Sequence, residues 1–407
     1  MNNIKLKIKD ISTVKNGSTP STSNSEFYDG DIIWITPKDL SNQNNRYIDK
    51  GERTITKEGF DSCSTAMLPK GTILLSSRAP IGLLSIAGVE LCTNQGFKNI
   101  IPDKSKIDSE FLFYYLKTKI SDIDKLGSGT TFKEVSKNSI ENFQVIIPTD
   151  VKCQQKIASV LSSLDSKIEL NNRINAELEA LAKTLYDYWF VQFDFPDANG
   201  KPYKSSSGKM VWNEKLKREI PEGWKVGKLE DIANITMGQS PPGESYNEDG
   251  KGIIFFQGCT DFGNRFPSIR KFTTKPTRFA KEGDILLSVR APVGTINIAK
   301  ENCCIGRGLA ALNSKDNCIA HLLGVMVNLK QIFDRRNVDG TTFGSITKDD
   351  LFSLKVIIPD KYILKKYQEV INPAFVKQDK IELENQQLFN LRDWLLPMLM
   401  NGQVKVG

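Results

Sequence analysis

One stretch of this 407-residue chain constrains its fold more than any other, because it occurs twice. Gly71–Gly96, GTILLSSRAPIGLLSIAGVELCTNQG, returns as Gly283–Gly308, GDILLSVRAPVGTINIAKENCCIGRG. About half of the aligned positions are identical, including Ser76, Arg78, Ala79, Pro80 and Gly82 against Ser288, Arg290, Ala291, Pro292 and Gly294. A period of roughly 210 residues is too long for a solenoid, so one domain type is used twice. The match extends outward. Asp10-Ile11, Gly17 and Pro20 correspond to Asp231-Ile232, Gly238 and Pro241, where loose alternation breaks into a polar loop. The apolar strand at Ile32–Ile35 corresponds to Ile253–Phe256. A capped helical pattern at Asp108–Leu126 has its partner at Asn317–Phe333. A Gly-Thr-Thr-Phe loop, 129–132 and 340–343, precedes a closing strand, Val145–Pro148 and Val356–Pro359. Each copy is therefore expected to be a mixed α/β (α+β) unit of about 140 residues.

After each closing strand the apolar period becomes helical. From Val151 to Trp189 neither Gly nor Pro occurs. With Ile157 at position a, the a series runs Ile157, Leu164, Asn171, Leu178, Leu185, and the d series Leu161, Ile168, Asn175, Ala182, Trp189. This is a coiled-coil seam of about five heptads with two asparagines in its middle, residues that cost stability but fix register. The second copy, Lys361–Leu396, keeps the seam with Ile381, Leu388, Leu391 and Leu395 but puts Lys377 and Glu384 at two a positions. Pro373 is expected to interrupt it. Between the halves, residues 194–222 are rich in Gly, Pro, Ser and Lys without an amphipathic period, and read as a surface linker. The division expected is thus a first globular domain (1–148), a long helix (149–193), the linker (194–222), a second globular domain (223–359), a second long helix (360–400) and a tail (401–407).

Catalytic chemistry is hard to find. The seven cysteines are scattered without a Cys-x-x-Cys pair, and His321 is the one histidine, so a metal site is not expected and the thiols read as reduced and cytoplasmic. No apolar run suggests a membrane span or a leader segment. No phosphate-binding Gly-x4-Gly-Lys motif occurs, and Gly306–Ala311 fits a dinucleotide pattern only if a helix follows it. His321, within a helical pattern, reads as structural.

What recurs is polar loop chemistry suited to DNA, in a chain of formal net charge +7. Arg can grip guanine with two hydrogen bonds, and Thr, Ser and Gln can contact phosphates or base edges. The candidates are Lys38, Arg78, Gln95, Thr130, Thr131 and Lys133 in the first copy, and Gln257, Thr260, Arg290, Arg307, Thr341 and Thr342 in the second. Arg78 and Arg290 are identical in the two copies, which suits phosphate contact or scaffolding better than base reading if the halves read different sequences. Gln95 against Arg307, and Lys38 against Cys259 or Thr260, differ, which suits specificity. The Thr-Thr-Phe loops suit either contact with DNA or turns anchored by Phe132 and Phe343.

Two such domains, each followed by a long helix, resemble the specificity (S) subunit of type I restriction–modification enzymes. The central region carries the most specific local match: Phe195-Pro196, Gly200-Lys201-Pro202-Tyr203, Gly208-Lys209-Met210-Val211 and Ile220-Pro221-x-Gly223-Trp224. Leu395–Gly402 is similar to that family's C-terminal helix end. The resemblance implies two target recognition domains, each binding one half of a bipartite double-stranded DNA site. It implies helices that pair antiparallel, set the gap between half-sites and dock two methyltransferase (M) subunits and restriction/translocase (R) subunits. It also implies a non-catalytic chain that binds no cofactor of its own, S-adenosylmethionine, ATP and Mg2+ belonging to the partners of an adenine-N6 methylating complex. A stand-alone bipartite DNA-binding repressor is the alternative reading. About 38 helical residues at about 1.5 Å each span about 57 Å, near 17 base pairs, as an upper bound on half-site separation.

Overall fold

The computed structural model describes residues 2–41, 45–78, 80–128, 133–338, 345–404 and 406; within the helix Ile319–Val338, the side chains of 331, 332 and 334–338 are not among those described. The chain divides into two compact units, Met1–Asn172 with Asn385–Gly407, and Arg173–Glu384. Two long helices, Val151–Tyr186 and Lys361–Met400, each contribute one part to each unit.

In unit 1 the repeated stretch supplies the middle of a five-stranded sheet ordered Ser12–Asn16, Phe97–Pro102, Ile73–Ser76, Leu84–Ala87, Tyr47–Ile48. Ile73–Ser76 pairs antiparallel on both sides. It is apolar without alternation because both its faces are covered. Ile73 and Leu75 enter a core with Phe111, Leu112 and Ile157, while Leu74 enters another with Ile35, Leu68 and Phe97. A three-stranded sheet, Arg53–Ile55, Tyr28–Ile35, Cys92–Thr93, lies beside it in the chain's order, and Asn3–Lys7 pairs with Gln144–Pro148. Asp108 caps the helix Ser109–Thr118 by accepting the Phe111 N–H at 2.9 Å.

Unit 2 repeats the plan. Its four-stranded sheet runs Ala233–Met237, Leu309–Ser314, Ile285–Ser288, Ile296–Ile298, with Ile285 and Leu287 in one core and Leu286 in another. Gly306–Ala311 leads into the strand Leu309–Ser314 rather than a helix, so the dinucleotide pattern lacks the helix N-terminus that its chemistry needs.

Three expectations are corrected. The second long helix is continuous through Pro373. Pro373 and Glu369 are both exposed, so the carbonyl that loses its helical partner faces water. Leu391, expected in the seam, is 43% exposed, and the inward position is taken by Arg392, whose guanidinium donates to Asp165 at 2.9 Å. The stretch expected to be a surface linker is folded. Met210–Asn213 and Arg218–Pro221 form a hairpin, and Phe195 stacks on Trp224 and Tyr203 with ring centroids 4.9 and 4.6 Å apart. Its aromatics are too widely spaced for a helical period, yet Phe193, Phe195, Ile220 and Trp224 are all buried in the main core of unit 2.

Of the other seam positions, Ile157, Leu161, Ile168, Asn171, Asn175 and Ile381 are buried, and Leu164, Leu178, Leu185, Leu388 and Leu395 are half-buried. Among the described residues no helix is long and apolar enough to cross a membrane, and no cluster of His, Cys, Asp or Glu is arranged to hold a metal ion.

His321 lies in the core of unit 2, its ring 4.7 Å from Phe190 and 5.9 Å from Tyr186. Burial pushes its pKa down to about 3. The unfolded chain therefore binds a proton here near pH 6.5 that the folded chain refuses until about pH 3. Stability from this group is complete above pH 6.5 and falls as pH drops through that window. His321→Leu is expected to shift the acid limb of a pH–stability curve to lower pH; denaturant titrations at pH 7 and pH 5 should give a smaller stability difference in the variant than in the natural chain.

Candidate nucleic-acid interface

Among the described candidates, Arg78, Gln95, Gln257, Arg290 and Arg307 sit where strands run out into loops, Lys38 and Thr260 lie in the short helices Pro37–Ser41 and Cys259–Asp261, and backbone bonds tie the loops together. In unit 1 the Ser77 N–H donates to the Gly96 carbonyl at 2.7 Å, Asn94 to Ile35 at 3.0 Å, and Ser18 to Thr93 at 2.9 Å. The Val135 N–H closes the cluster by donating to the Ser77 carbonyl at 2.9 Å. Gly17 is required at this meeting point, since a Cβ there would stand 2.0 Å from the Asn94 carbonyl oxygen. The loop after the central strand is held from within: the Ser76 hydroxyl donates to the Pro80 carbonyl and accepts the Leu83 N–H, at 2.7 and 2.8 Å. Gly82, at φ +95°, allows the return turn.

This cluster brings Arg78 and Gln95 together with Ser18 and Thr19, and Thr19 donates a hydrogen bond to the Gln95 side chain. Lys38 is exposed beside it and paired with Glu52 at 2.7 Å. Lys133 is turned toward Asp124, 2.6 Å away.

Unit 2 builds the same cluster with other side chains. Val289 donates to Gly308 at 2.9 Å, Gly308 to Gln257 at 3.2 Å, Gly306 to Phe256 at 2.8 Å, and Ile346 to Val289 at 2.9 Å. Gly238 is the counterpart of Gly17, with a Cβ excluded by the Gly306 carbonyl 2.2 Å away. Gln257 and Ser240 exchange hydrogen bonds at 2.9 and 3.2 Å, and the Arg307 N–H donates to Ser240 Oγ at 3.3 Å. Arg290, Arg307, Gln257 and Thr260 are all exposed. Thr130, Thr131, Thr341 and Thr342, with Phe132 and Phe343, lie outside the described residues.

The two copies differ in charge at one place. In unit 1 Arg78 Nε donates to Glu134 at 3.0 Å, and Lys98 holds the other carboxylate oxygen at 3.1 Å. Partial burial pushes the Glu134 pKa up, but the hydrogen bonds and charges of Lys98 and Arg78 outweigh it and hold the carboxyl below its usual range. In unit 2 the matching backbone bonds place Ser345 at the position of Glu134 and Ala310 at that of Lys98. Among the described residues, Arg290, Arg307 and Arg278 have no carboxylate within ion-pair distance. Sequence reading missed Arg278, whose carbonyl accepts the Ile305 N–H at 2.9 Å. It also missed Glu134, although Lys133-Glu134-Val135 against Gly344-Ser345-Ile346 displays the difference.

The model of the type I restriction modification DNA specificity domain matches residues 3–180 and again 221–391. The chain is 37% identical to the type I restriction enzyme MjaIX specificity subunit of Methanocaldococcus jannaschii, over 98% of this chain and 93% of that protein. It is 23% identical to the HindI specificity subunit of Haemophilus influenzae, over 76% of this chain and 80% of that protein. Among solved structures, the type I restriction-modification S subunit from M. genitalium superposes with a TM-score of 0.62 at 19% identity, covering 98% of this chain and 96% of that one.

The charge difference gives a directional expectation for duplex DNA titrated at several salt concentrations. Arg290→Ala should weaken binding to all sequences alike and lower the salt slope by about one, the value for one phosphate contact. Glu134→Gln should act oppositely, raising affinity and the slope by freeing Arg78. A change in sequence preference from either variant would contradict the assignment of these arginines to phosphates.

Proposed function

The chain belongs to the type I restriction modification DNA specificity family, and from that premise we propose that each unit binds one half of a bipartite double-stranded DNA target. The observation that carries this is the loop cluster built twice on one backbone plan, around Gly17 and Gly96 and around Gly238 and Gly308, with different side chains displayed. Arg78 and Arg290, alike in both, grip phosphates. Gln95 against Arg307, and Lys38 against Thr260, read bases, together with the exposed Arg278. Thr130, Thr131, Thr341 and Thr342 are assigned DNA contacts from the sequence alone.

The long helices pair antiparallel as a coiled coil that sets the gap between half-sites. Supporting this in unit 1, Asn171 donates to Asn385 at 2.9 Å, Arg392 to Asp165 at 2.9 Å, and Leu161 shares a core with Leu396 and Leu399. Supporting it in unit 2, the Gln378 amide donates to the Asn175 carbonyl and the Tyr367 hydroxyl to that of Ala182, both at 3.4 Å. Rising numbers on one helix meet falling numbers on the other. Exposed apolar residues along the helices, among them Leu170, Leu391 and Trp394, offer a surface to the M and R subunits. The chain carries no reaction itself; S-adenosylmethionine, ATP and Mg2+ act on those partners.

Removing one heptad from each helix shortens the spacer by about 10 Å, or about three base pairs. Mapping methylated adenines in DNA from cells carrying the altered system should show the same half-site sequences separated by a shorter gap. An unchanged gap would rule the spacer role out.

A further inference from the structure

Each unit contains one arginine that leaves the edge of the recognition sheet and buries its guanidinium against the long helices. The two occupy matching places. Arg46 follows Asn45 and precedes Tyr47; Arg265 follows Asn264 and precedes Phe266. The Arg46 carbonyl accepts the Ile86 N–H at 2.9 Å, and the Arg265 carbonyl accepts that of Ile298, also at 2.9 Å. Ile86 and Ile298 lie on the matching strands Leu84–Ala87 and Ile296–Ile298.

Their contacts with the helices are dense. Arg46 is 8% exposed. Its Nη1 donates to the Ser162 carbonyl at 3.0 Å and to the Tyr114 hydroxyl at 3.2 Å, and its Nη2 to Ser166 Oγ at 3.2 Å. Its backbone N–H donates to Glu169 Oε1 at 3.0 Å. Tyr114 in turn donates to Asp165 at 2.6 Å, whose other oxygen accepts from Arg392. The chain Arg46–Tyr114–Asp165–Arg392 thus runs from the sheet through one long helix to the other. Arg265 makes the connection directly, donating to Asp379 and, at 3.3 Å, to Gln378 Oε1, with its guanidinium carbon 5.1 Å from the centre of the Phe375 ring. Burial raises the pKa of Glu179 and Glu382, and the positive charge of Arg265 opposes that rise at both, joined at Glu382 by Lys300.

We infer that Arg46 and Arg265 are positioning residues that fix the angle of each recognition sheet on the helices, and so set how strictly the complex measures the gap between half-sites. A guanidinium suits this role because its planar fork binds several acceptors at fixed directions, which a flexible ammonium does not. Neither arginine belongs to the loop clusters assigned to DNA. The inference rests on the bipartite-target reading, and its test separates the two.

The assembled complex with its M subunits is assayed for methyl transfer to a panel of duplexes with identical half-sites and gaps from two base pairs shorter to two longer. The natural complex should select one gap. Arg46→Met and Arg265→Met should keep the same half-site preference and lose about tenfold in discrimination against neighbouring gaps, in the range of coupling within a contact network. Arg46→Lys and Arg265→Lys should lose less, and they replace the methionine variants if those fail to assemble. Unchanged gap discrimination in an assembled variant overturns the inference, as does an equal loss of methylation at every gap. A natural complex that selects no gap defeats the bipartite reading itself.

Discussion

Everything at the proposed interface depends on a strand buried on both faces. Ile73–Ser76 and Ile285–Ser288 each send alternate side chains into two separate cores, so neither can slip or tilt without disturbing both. The backbone bonds beyond each strand, Ser77 to Gly96 and Val289 to Gly308, carry that fixed position into the loops. Buried serines complete the hold, Ser76 donating to Pro80 and Ser288 to Arg290 at 2.7 Å each. Unpaired, each hydroxyl would cost about 1–3 kcal/mol, so the loop shape is specified by the same requirement that stabilises the core. The likeness of the two repeated stretches is then the likeness of a scaffold, and the display of different side chains on it becomes possible.

Sequence reading found this scaffold because its signals are local and duplicated. Apolar runs, positive-φ glycines such as Gly82 and Gly294, and capping residues such as Asp108 act within a few positions of themselves. It failed where structure is decided by distant contacts. Trp224, Phe195 and Phe193 are spread through a polar, Gly-rich stretch, and nothing nearby in sequence says they meet the same core. Pro373 leaves the helix unbroken because a proline's cost depends on whether the freed carbonyl reaches water, which is a property of the helix face. On the second helix the inward series is Gln378, Asn385 and Arg392, one position beyond Lys377, Glu384 and Leu391 throughout, because it is polar and is marked only by its partners Asn175, Asn171 and Asp165. Sequence rules place arginine on the surface unless a partner is known.

The two halves are copies in backbone but not in charge. In unit 1 the basic groups at the loop cluster are matched by acids: Arg78 and Lys98 by Glu134, Lys38 by Glu52, Lys133 by Asp124. The pairs whose base is exposed, Arg78–Glu134, Lys38–Glu52 and Lys133–Asp124, are worth only about 0–1 kcal/mol, so a phosphate can displace them at little cost, whereas the Lys98 side chain is only 7% exposed and stays with Glu134. They do reduce the attraction that the free protein exerts at a distance. Unit 2 leaves Arg278, Arg290 and Arg307 without such partners among the described residues. In the proposed mode of binding, Arg78 would contact a phosphate only where that phosphate replaces Glu134.

The polar residues buried along the long helices make sense in the same terms. Asn385 accepts from Asn171 and donates to Asn172, each at 2.9 Å, while Asn175 keeps a buried oxygen without a partner. Leucines there would be more stable by burial alone. They would also tolerate a shift by one heptad, two helical turns, since an apolar seam is nearly the same after such a slide. An amide pair and an Arg392–Asp165 ion pair are satisfied in only one register, and a slip leaves buried groups unpaired at about 1–3 kcal/mol each. A spacer of the kind proposed must resist sliding more than it must resist melting. Helices that trade burial for register suit such a spacer, and the inferred positioning residues Arg46 and Arg265 would carry the same exactness to the proposed DNA surfaces.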